Sequence, residues 1–335
     1  MAQPVDEFDL ISRFFMPLAR DMPGAFGLRD DAAVLRPDPG FDLVVSADAI
    51  VSGVHFFDTA QPKDIARRGL RVNLSDIAAK GAVPLAYTLT LQLPLTTDEI
   101  WLSAFAEGLA SDQLEFGLGL LGGDTTRTNG PLSLSINIFG QVPENKMISR
   151  SSSCVDDDVY VTGTIGDACL GLALEKGDLD VPTGPERLEL AERYLCPQPR
   201  VFLGPELLGY ASAAADVSDG LIADLGHICD ASGLGAEVMF LSVPLSGAAR
   251  RTVTDNQPLH LSLLAGGDDY EIVFTAPETA RDAIEAISQD AGVPITRIGR
   301  MIEREIADSG VVVRDDSGNQ LEVGNGGYKH FRGFE

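Results

Sequence analysis

Cationic side chains are the scarce class in this chain. Its 335 residues include 25 Lys and Arg against 50 Asp and Glu, a formal net charge of −25. A surface of that sign repels nucleic acid and anionic membranes, so neither is expected as a partner. It repels a phosphorylated substrate as well, unless cations stand between. Cysteine is scarce too: Cys154, Cys169, Cys196 and Cys229 are far apart and form no CxxC pair. That argues against a disulfide framework or a zinc site and fits free thiols in a reducing cytoplasm. No run approaches the roughly 18 apolar residues of a membrane span. The start, MAQPVDEFDL, is acidic and has no apolar h-region, which speaks against a signal peptide. A soluble, cytoplasmic protein is expected. Several catalytic signatures are also missing: no GxxxxGK[ST] phosphate loop, no HExxH and no Ser/His/Asp elbow.

Two alternating segments predict strands. Tyr87, Leu89, Leu91 and Leu93 share one face of YTLTLQLPL; Leu132, Leu134, Ile136 and Ile138 share one face of LSLSINIFG. Shorter apolar runs predict strands at 43–47, 158–162, 236–243, 271–275 and 311–314. One helix is expected over 63–80, closed by Gly81 with Pro84 beyond. Another starts at Thr96, with Glu99 completing a capping box, and reaches about 115. Others fit 167–176, 185–195, 204–212, 219–231 and 278–290. Strands are sometimes adjacent and sometimes separated by helices, which suggests α/β or α+β layers rather than one regular parallel array. The polar stretch 143–158 is the best candidate boundary between halves of near-equal size.

Aspartates collect where apolar runs stop or turn: Asp30-Asp31 before AAVL, Asp48 after LVVSA, Asp76 in VNLSDIAAKGA, Asp124 after LLGG, Asp216 and Asp219 in DVSDG, and Asp268-Asp269 after LLAGG. Any one of them has a bland explanation, since Asp caps helices and forms turns; Asp219 would cap the helix that begins GLIADLGHI. Six clusters at strand and helix ends are harder to dismiss. Carboxylates that converge there cannot all stay ionised without cations. Hard oxygen ligands point to Mg²⁺ or Ca²⁺, and scattered aspartates without EF-hand spacing fit Mg²⁺ shared with phosphates better than a calcium cage. In LLGGDTTRTNG, Gly122 and Gly123 let a phosphate approach the backbone, or simply form a tight turn between strands. Arg150 is a phosphate-facing cation or a solvated surface arginine. His55 is a ligand contact or a structural histidine, and His227 and His260 read as structural. Gly117-Leu-Gly119-Leu-Leu-Gly122 matches GxGxxG, but DTTRTNGP behind it is a poor helix start for a dinucleotide fold. VYVTGTIGDACLGLAL (159–174) is a better strand–Gly–helix unit, whose helix N-terminus binds an anion or marks a packing turn.

Taken in order, RDDAAVL, SADAIVSGVHF, VNLSDIAAKGA, LLGGDTT, ISRSS, DVSDGLIADLGHI, AGGDDYEI and GYKHF resemble the bacterial thiamine-monophosphate kinase family, and the resemblance covers nearly the whole chain. It implies a two-domain PurM-like fold, shared with aminoimidazole ribonucleotide synthetase. The N-terminal domain (1–145) would be α/β, a mixed β-sheet packed with helices that carries the Mg/ATP site and the dimer contact. The C-terminal domain (146–335) would be α+β and complete the ATP and substrate sites. The family pairs as a homodimer with its site in a cleft near the interface. The implied reaction converts ATP and thiamine monophosphate to ADP and thiamine diphosphate. Carried over residue by residue, the family pattern assigns Asp31, Ser46, Asp48, Asp76, Asp124, Asp216 and Asp219 to several Mg²⁺ ions. Ala47 stands where relatives carry Thr, so only its backbone oxygen could serve. Gly123, Asp124, Arg150 and Ser218 match ATP-binding positions, and His55, Asp268 and Tyr328 match positions that hold thiamine monophosphate. Asp268 often appears as Glu, giving a shorter reach, and Phe116 lies where an aromatic with a hydroxyl can occur.

Phosphoryl transfer of this kind needs charge neutralisation and in-line positioning more than a covalent or acid/base residue. The acceptor is already a phosphate, largely ionised near neutral pH. The rival readings are another ATP-dependent PurM-like enzyme such as a purine-pathway synthetase, a dinucleotide-binding oxidoreductase resting on the GxGxxG match, and a non-catalytic divalent-ion binding protein. SGVHF and GYKHF favour a thiamine ligand. The absence of Cys or Lys before Asp30 argues against selenophosphate synthetases.

Overall fold

In a computed structural model of the chain, the described residues are 7–181, 183–254, 256–304 and 310–323. The chain divides into two compact units. The first takes the chain up to Ile77 and then Ala82–Asn145; the second takes Ala78–Gly81 and the chain from Lys146 onward.

The first unit opens with a short helix α1 (Glu7–Leu10) and irregular helical turns up to Leu28. Its regular elements follow as β1 (Phe41–Val51), α2 (Pro62–Ala79), β2 (Val83–Pro94), α3 (Glu99–Phe116), β3 (Gly119–Thr128) and β4 (Ser133–Pro143). The four strands form one sheet in the order β1-β4-β2-β3, antiparallel except for the parallel pair β2–β3. The period-2 pattern of β4 is realised in full: Leu134, Ile136 and Ile138 are buried and alternate with half-buried Ser135 and Asn137. Glycines let the layers close up. A Cβ at Gly69 of α2 would run into Leu134, and one at Gly108 of α3 would run into the Lys63 carbonyl of α2. Between the two helices lies buried Arg71, whose guanidinium donates to both oxygens of buried Asp112 at 2.8 and 2.9 Å and to Glu115 at 2.6 Å. A fork–fork geometry of this kind satisfies a charge that burial alone would penalise.

Two expectations for this unit are corrected. The N-cap of α3 is Asp98, whose side chain accepts the Trp101 N–H at 2.8 Å, rather than Thr96 with a Glu99 box. LLGGDTTRT is neither a loop nor a turn but a strand, because it finds a parallel partner in β2 and buries Leu120 and Leu121. The GxGxxG match dissolves with it. Gly117 is the left-handed C-cap of α3, and Gly119 and Gly122 lie in β3, so these glycines close a helix and enter a strand, the reverse of a dinucleotide fold.

The second unit holds β5 (Asp158–Thr162), α4 (Asp167–Lys176), α5 (Pro185–Leu195), β6 (Ala213–Asp216), α6 (Leu221–Ser232), β7 (Gly235–Met239), α7 (Gly247–Val253), α8 (Gln257–Leu263), β8 (Ile272–Ala276), α9 (Arg281–Ala291), β9 (Ile295–Ile302), β10 (Val311–Arg314) and β11 (Gln320–Leu321). Seven strands form one mixed sheet, β11-β10-β7-β9-β5-β8-β6. One buried cluster joins the sheet to Leu221, Leu225 and Ile228 of α6; a second joins α4, α5, α7 and α8 around Leu170, Leu190 and Leu263. The helix expected over 204–212 shrinks to a 3₁₀ turn, Gly204–Leu207, followed by Gly209 at φ +83°. β6, β9, β11, α7 and α8 were not anticipated.

Candidate functional site

In the first unit the expected residues fall into two groups. β1 carries Ser46, Ala47 and Asp48, and α2 lies beneath them. The Ser46 hydroxyl donates to Asp76 Oδ2 of α2 at 2.5 Å. One turn earlier on the same helix, Asn73 Oδ1 accepts the Asp48 N–H at 3.0 Å, while its amide nitrogen donates to the Gly69 carbonyl at 2.9 Å. Asn73 is therefore a holder of Asp48 that sequence reasoning missed; its signal was the i, i+3 spacing to Asp76 in VNLSD. The second group surrounds a cavity of about 310 Å³ lined by Asp30, Asp31, Thr88, Gly122, Gly123 and Asp124, among others.

The sheet keeps these groups apart. One row of paired residues runs Asp48–Ile136–Leu89–Gly123, so Asp48 and the Gly123-Asp124 pair sit on opposite edge strands. Three strand spacings of about 4.8 Å put their backbones on the order of 14 Å apart.

In the second unit two segments lie side by side. Val217 N–H donates to the Glu271 carbonyl at 2.8 Å, Asp268 N–H to the Ser218 carbonyl at 2.9 Å, and Tyr270 N–H to the Val217 carbonyl at 2.8 Å. This brings Asp216, Ser218, Asp219 and Asp268 together. A Cβ at Gly267 would run into the Ser218 carbonyl, so the close approach needs glycine there. Asp268 and Tyr270 hold positive φ, +73° and +51°, an unusual conformation for side-chain-bearing residues. The flanking acids pin that turn. Buried Asp269 accepts the Gly166 and Ala168 N–H groups at the start of α4, and buried Glu271 is gripped by Arg193, Arg200 and the Thr162 hydroxyl. The α4 N-terminus is thus filled by the protein's own carboxylate, and a packing turn is the reading that holds for 159–174. Burial pushes the Asp269 carboxyl up to about 8, against its two N–H donors and Arg193.

Asp219 does not cap α6. Gly220 occupies that position, and Asp224, inside the helix, accepts the N–H groups of Ser218, Asp219 and Gly220. Burial, followed by the charge of Asp219, pushes the Asp224 carboxyl up to about 7. Among the described residues, Asp219, Asp224 and His227 form a group whose ligand atoms lie within 4.8 Å of one another. His55 Nδ1 accepts the Val51 N–H at 3.0 Å, which places the proton of the neutral ring on Nε2. Arg150 is exposed and its carbonyl accepts from Ser232 Oγ. Arg127 donates to the Pro94 and Thr97 carbonyls, a structural role. Phe116 is buried beneath the Arg71 guanidinium, 5.0 Å from its ring centroid. Tyr328 lies outside the described residues. At Ser46, Asp48 and Asp76 the donors are hydroxyl and carboxylate oxygens, a hard set that fits Mg²⁺, while the Asp219 group in the second unit joins two carboxylates to one imidazole.

The two halves match the models of AIR synthase related proteins, the N-terminal domain over residues 29–142 and the C-terminal domain over 155–311. Thiamine-monophosphate kinase of Salmonella typhimurium is 44% identical over 296 residues, covering 88% of this chain and 90% of that protein. The Escherichia coli K12 enzyme of the same name is 40% identical over 326 residues, 97% and 98% of the two chains. Among solved structures, thiamine-monophosphate kinase from Stenotrophomonas maltophilia superposes with a TM-score of 0.82 at 41% identity, covering 92% of this chain and 96% of that one. AaThiL complexed with AMPPCP and TMP superposes at 0.76 with 28% identity, covering 98% and 97%. Hydrogenase maturation protein HypE shares the fold at 20% identity and a TM-score of 0.78, covering 96% and 95%. The purine-synthetase and oxidoreductase readings give way to a match of that breadth, and the chain belongs to the thiamine-monophosphate kinase family of AIR synthase related, PurM-like proteins.

Proposed function

We propose that this chain phosphorylates thiamine monophosphate, forming a bond between the acceptor phosphate oxygen and the γ-phosphorus of ATP while the bond to ADP breaks. The observation that carries the reading is the 40% identity over 97% of the chain to a thiamine-monophosphate kinase. The relative solved with AMPPCP and TMP supports the same pair of ligands here. Mg²⁺, when bound, neutralises phosphate charge and aligns the two phosphates. Asp31, Ser46, the Ala47 carbonyl, Asp48, Asp76, Asp124, Asp216 and Asp219 would hold it. Gly123, Asp124, Arg150 and Ser218 bind the nucleotide; His55, Asp268 and Tyr328 bind the acceptor. No residue acts as nucleophile or base, because an ionised phosphate oxygen attacks directly.

Residues 1–145 carry the metal, nucleotide and dimer surfaces, and 146–335 complete the ATP and acceptor sites. The working form is a homodimer in the cytoplasm; among the described residues no helix is long and apolar enough to cross a membrane. Two features support the dimer. The outward face of β1 and β2 exposes Leu43, Val45 and Val83. Asp48 and Asp124, both assigned to metal, lie on opposite edge strands of one sheet, and a second copy with its β3 edge beside this β1 edge would bring the two strands next to each other.

Asp76→Asn and Asp124→Asn test the reading in an assay of thiamine diphosphate formed against Mg²⁺ concentration, with aminoimidazole precursors as competing acceptors. Each variant is expected to lose about 10²–10³-fold in turnover, the scale of a lost transition-state electrostatic contact. Near-wild-type turnover at low Mg²⁺ by a folded variant would sink it.

A further inference from the structure

We propose that Asp224 is a positioning residue, whose carboxylate holds the Ser218–Gly220 backbone so that the Ser218 and Asp219 side chains face the nucleotide phosphates and their metal. The inference rests on the kinase reading above and goes beyond it, because nothing in the family pattern assigns Asp224 a role.

The geometry is specific. Asp224 is buried in the first turn of α6, and one of its two carboxylate oxygens, Oδ2, accepts three consecutive backbone N–H groups, from Ser218 at 2.9 Å, Asp219 at 3.0 Å and Gly220 at 3.1 Å. Three successive N–H groups converging on one point form a concave anion site of the kind that elsewhere cradles a phosphate. Here the protein's own carboxylate occupies it, so these amides are unavailable to the nucleotide. What DVSDG can offer a phosphate is therefore its side chains, the Ser218 hydroxyl and any cation on Asp219. The fit also needs Gly220, which sits at φ +128° with the Ala265 backbone where a Cβ would go.

The opposite side of the segment is tied to the acceptor-binding turn, with the Val217 and Ser218 carbonyls accepting from Tyr270 and Asp268. Asp224 thus fixes one flank of the segment 217–220, whose other flank carries Asp268. Removing it frees the Ser218–Gly220 amides while the Asp268 side stays pinned by Asp269 and Glu271. The loss is expected to fall on the nucleotide and its metal first and on the acceptor less.

Asp224→Ala and Asp224→Asn separate this from a purely structural role. Calorimetry with Mg²⁺ and AMPPCP, which needs no turnover, is expected to show about 10–100-fold weaker binding for Asp224→Ala, the usual scale for lost outer-shell support of a metal site. Amide hydrogen exchange at 218–220 should quicken in the same variant. Asp224→Asn keeps an oxygen that accepts the same three bonds and is expected to recover most of the affinity. In steady state the KM for Mg·ATP should rise more than the KM for thiamine monophosphate. If Asp224→Ala does not fold, Asp224→Glu, whose carboxylate is displaced by one methylene, takes its place with the same expectation. Wild-type affinity in the folded Ala or Glu variant, or an Asn variant as weak as the Ala one, overturns the proposal. Should the wild type bind Mg·AMPPCP yet form no thiamine diphosphate, the kinase reading fails while the positioning role is still decided by binding.

Discussion

Gly122 and Gly123 look alike in the sequence, and their surroundings make them different residues. A Cβ at Gly123 would overlap the Leu89 carbonyl of β2, whereas one at Gly122 would meet nothing within 4 Å. Gly123 is thus demanded by strand packing, and its being glycine says little about phosphate. Gly122 has no such packing reason, which leaves close approach of a ligand to the backbone as the account of its missing side chain. Gly123→Ala should cost about 1–3 kcal/mol or more, as an overpacked site that only backbone movement can relieve. Gly122→Ala should leave stability within about 0.5 kcal/mol, as for a surface change, while raising the KM for Mg·ATP several-fold. Thermal melts and steady-state kinetics on both variants check this; an unchanged KM in Gly122→Ala would remove the phosphate role from that position. In DVSDGLIADLGHI the sequence reading singles out Asp219 and gives Asp224 no role. Both are one-letter acids near a helix start, and only the three N–H groups aimed at Asp224 separate the loop's holder from its functional face.

Elements were legible where one face of a strand or helix is wet, because burial then writes a period into the sequence. β4 and the long helix α3 are of that kind, whereas α2 is buried on nearly every side and is marked instead by its length and by Gly81 at its end. β6 is AAAD, buried at every position and too short for any period to appear. β9, ITRIGRMI, carries two arginines that face carboxylates, Arg297 to Asp158 and Arg300 to Glu237, so charge masked a strand. Caps failed for a related reason. Thr96, Thr97 and Asp98 are all credible N-caps, and the choice depends on backbone geometry: Asp98 is extended at φ −108°, ψ 177° and its oxygen reaches Trp101 N–H. Asp98→Ala should therefore destabilise the protein by about 1 kcal/mol, the usual worth of an N-cap side chain, and Thr96→Ala should change little. Denaturant titration of the two variants decides it, and equal losses would show that the capping box survives in solution.

At the scale of the whole molecule, the excess of acid over base was visible at once, and so was the order of the motifs. What no linear reading could show is that the metal-assigned aspartates belong to different edges of one sheet. Strand order is a product of long-range pairing, and β1-β4-β2-β3 places the first strand and the third as far apart as four strands allow. If one site needs both Asp48 and Asp124, a single chain supplies them poorly and a C2 pair supplies them twice, each site drawing one residue from each copy. This arrangement has a signature that single variants lack. Asp48→Asn and Asp124→Asn homodimers should each be nearly inactive, since every site contains one lesion. Co-expressed with different tags and allowed to assort, half of the dimers are mixed. In each mixed dimer one site collects both lesions and the other collects none, so about a quarter of wild-type sites return. If instead each chain builds its own site, every site in the mixed dimer still carries a lesion and nothing is recovered. Purifying the doubly tagged dimer and finding it as inactive as its parents would therefore return both aspartates to one chain.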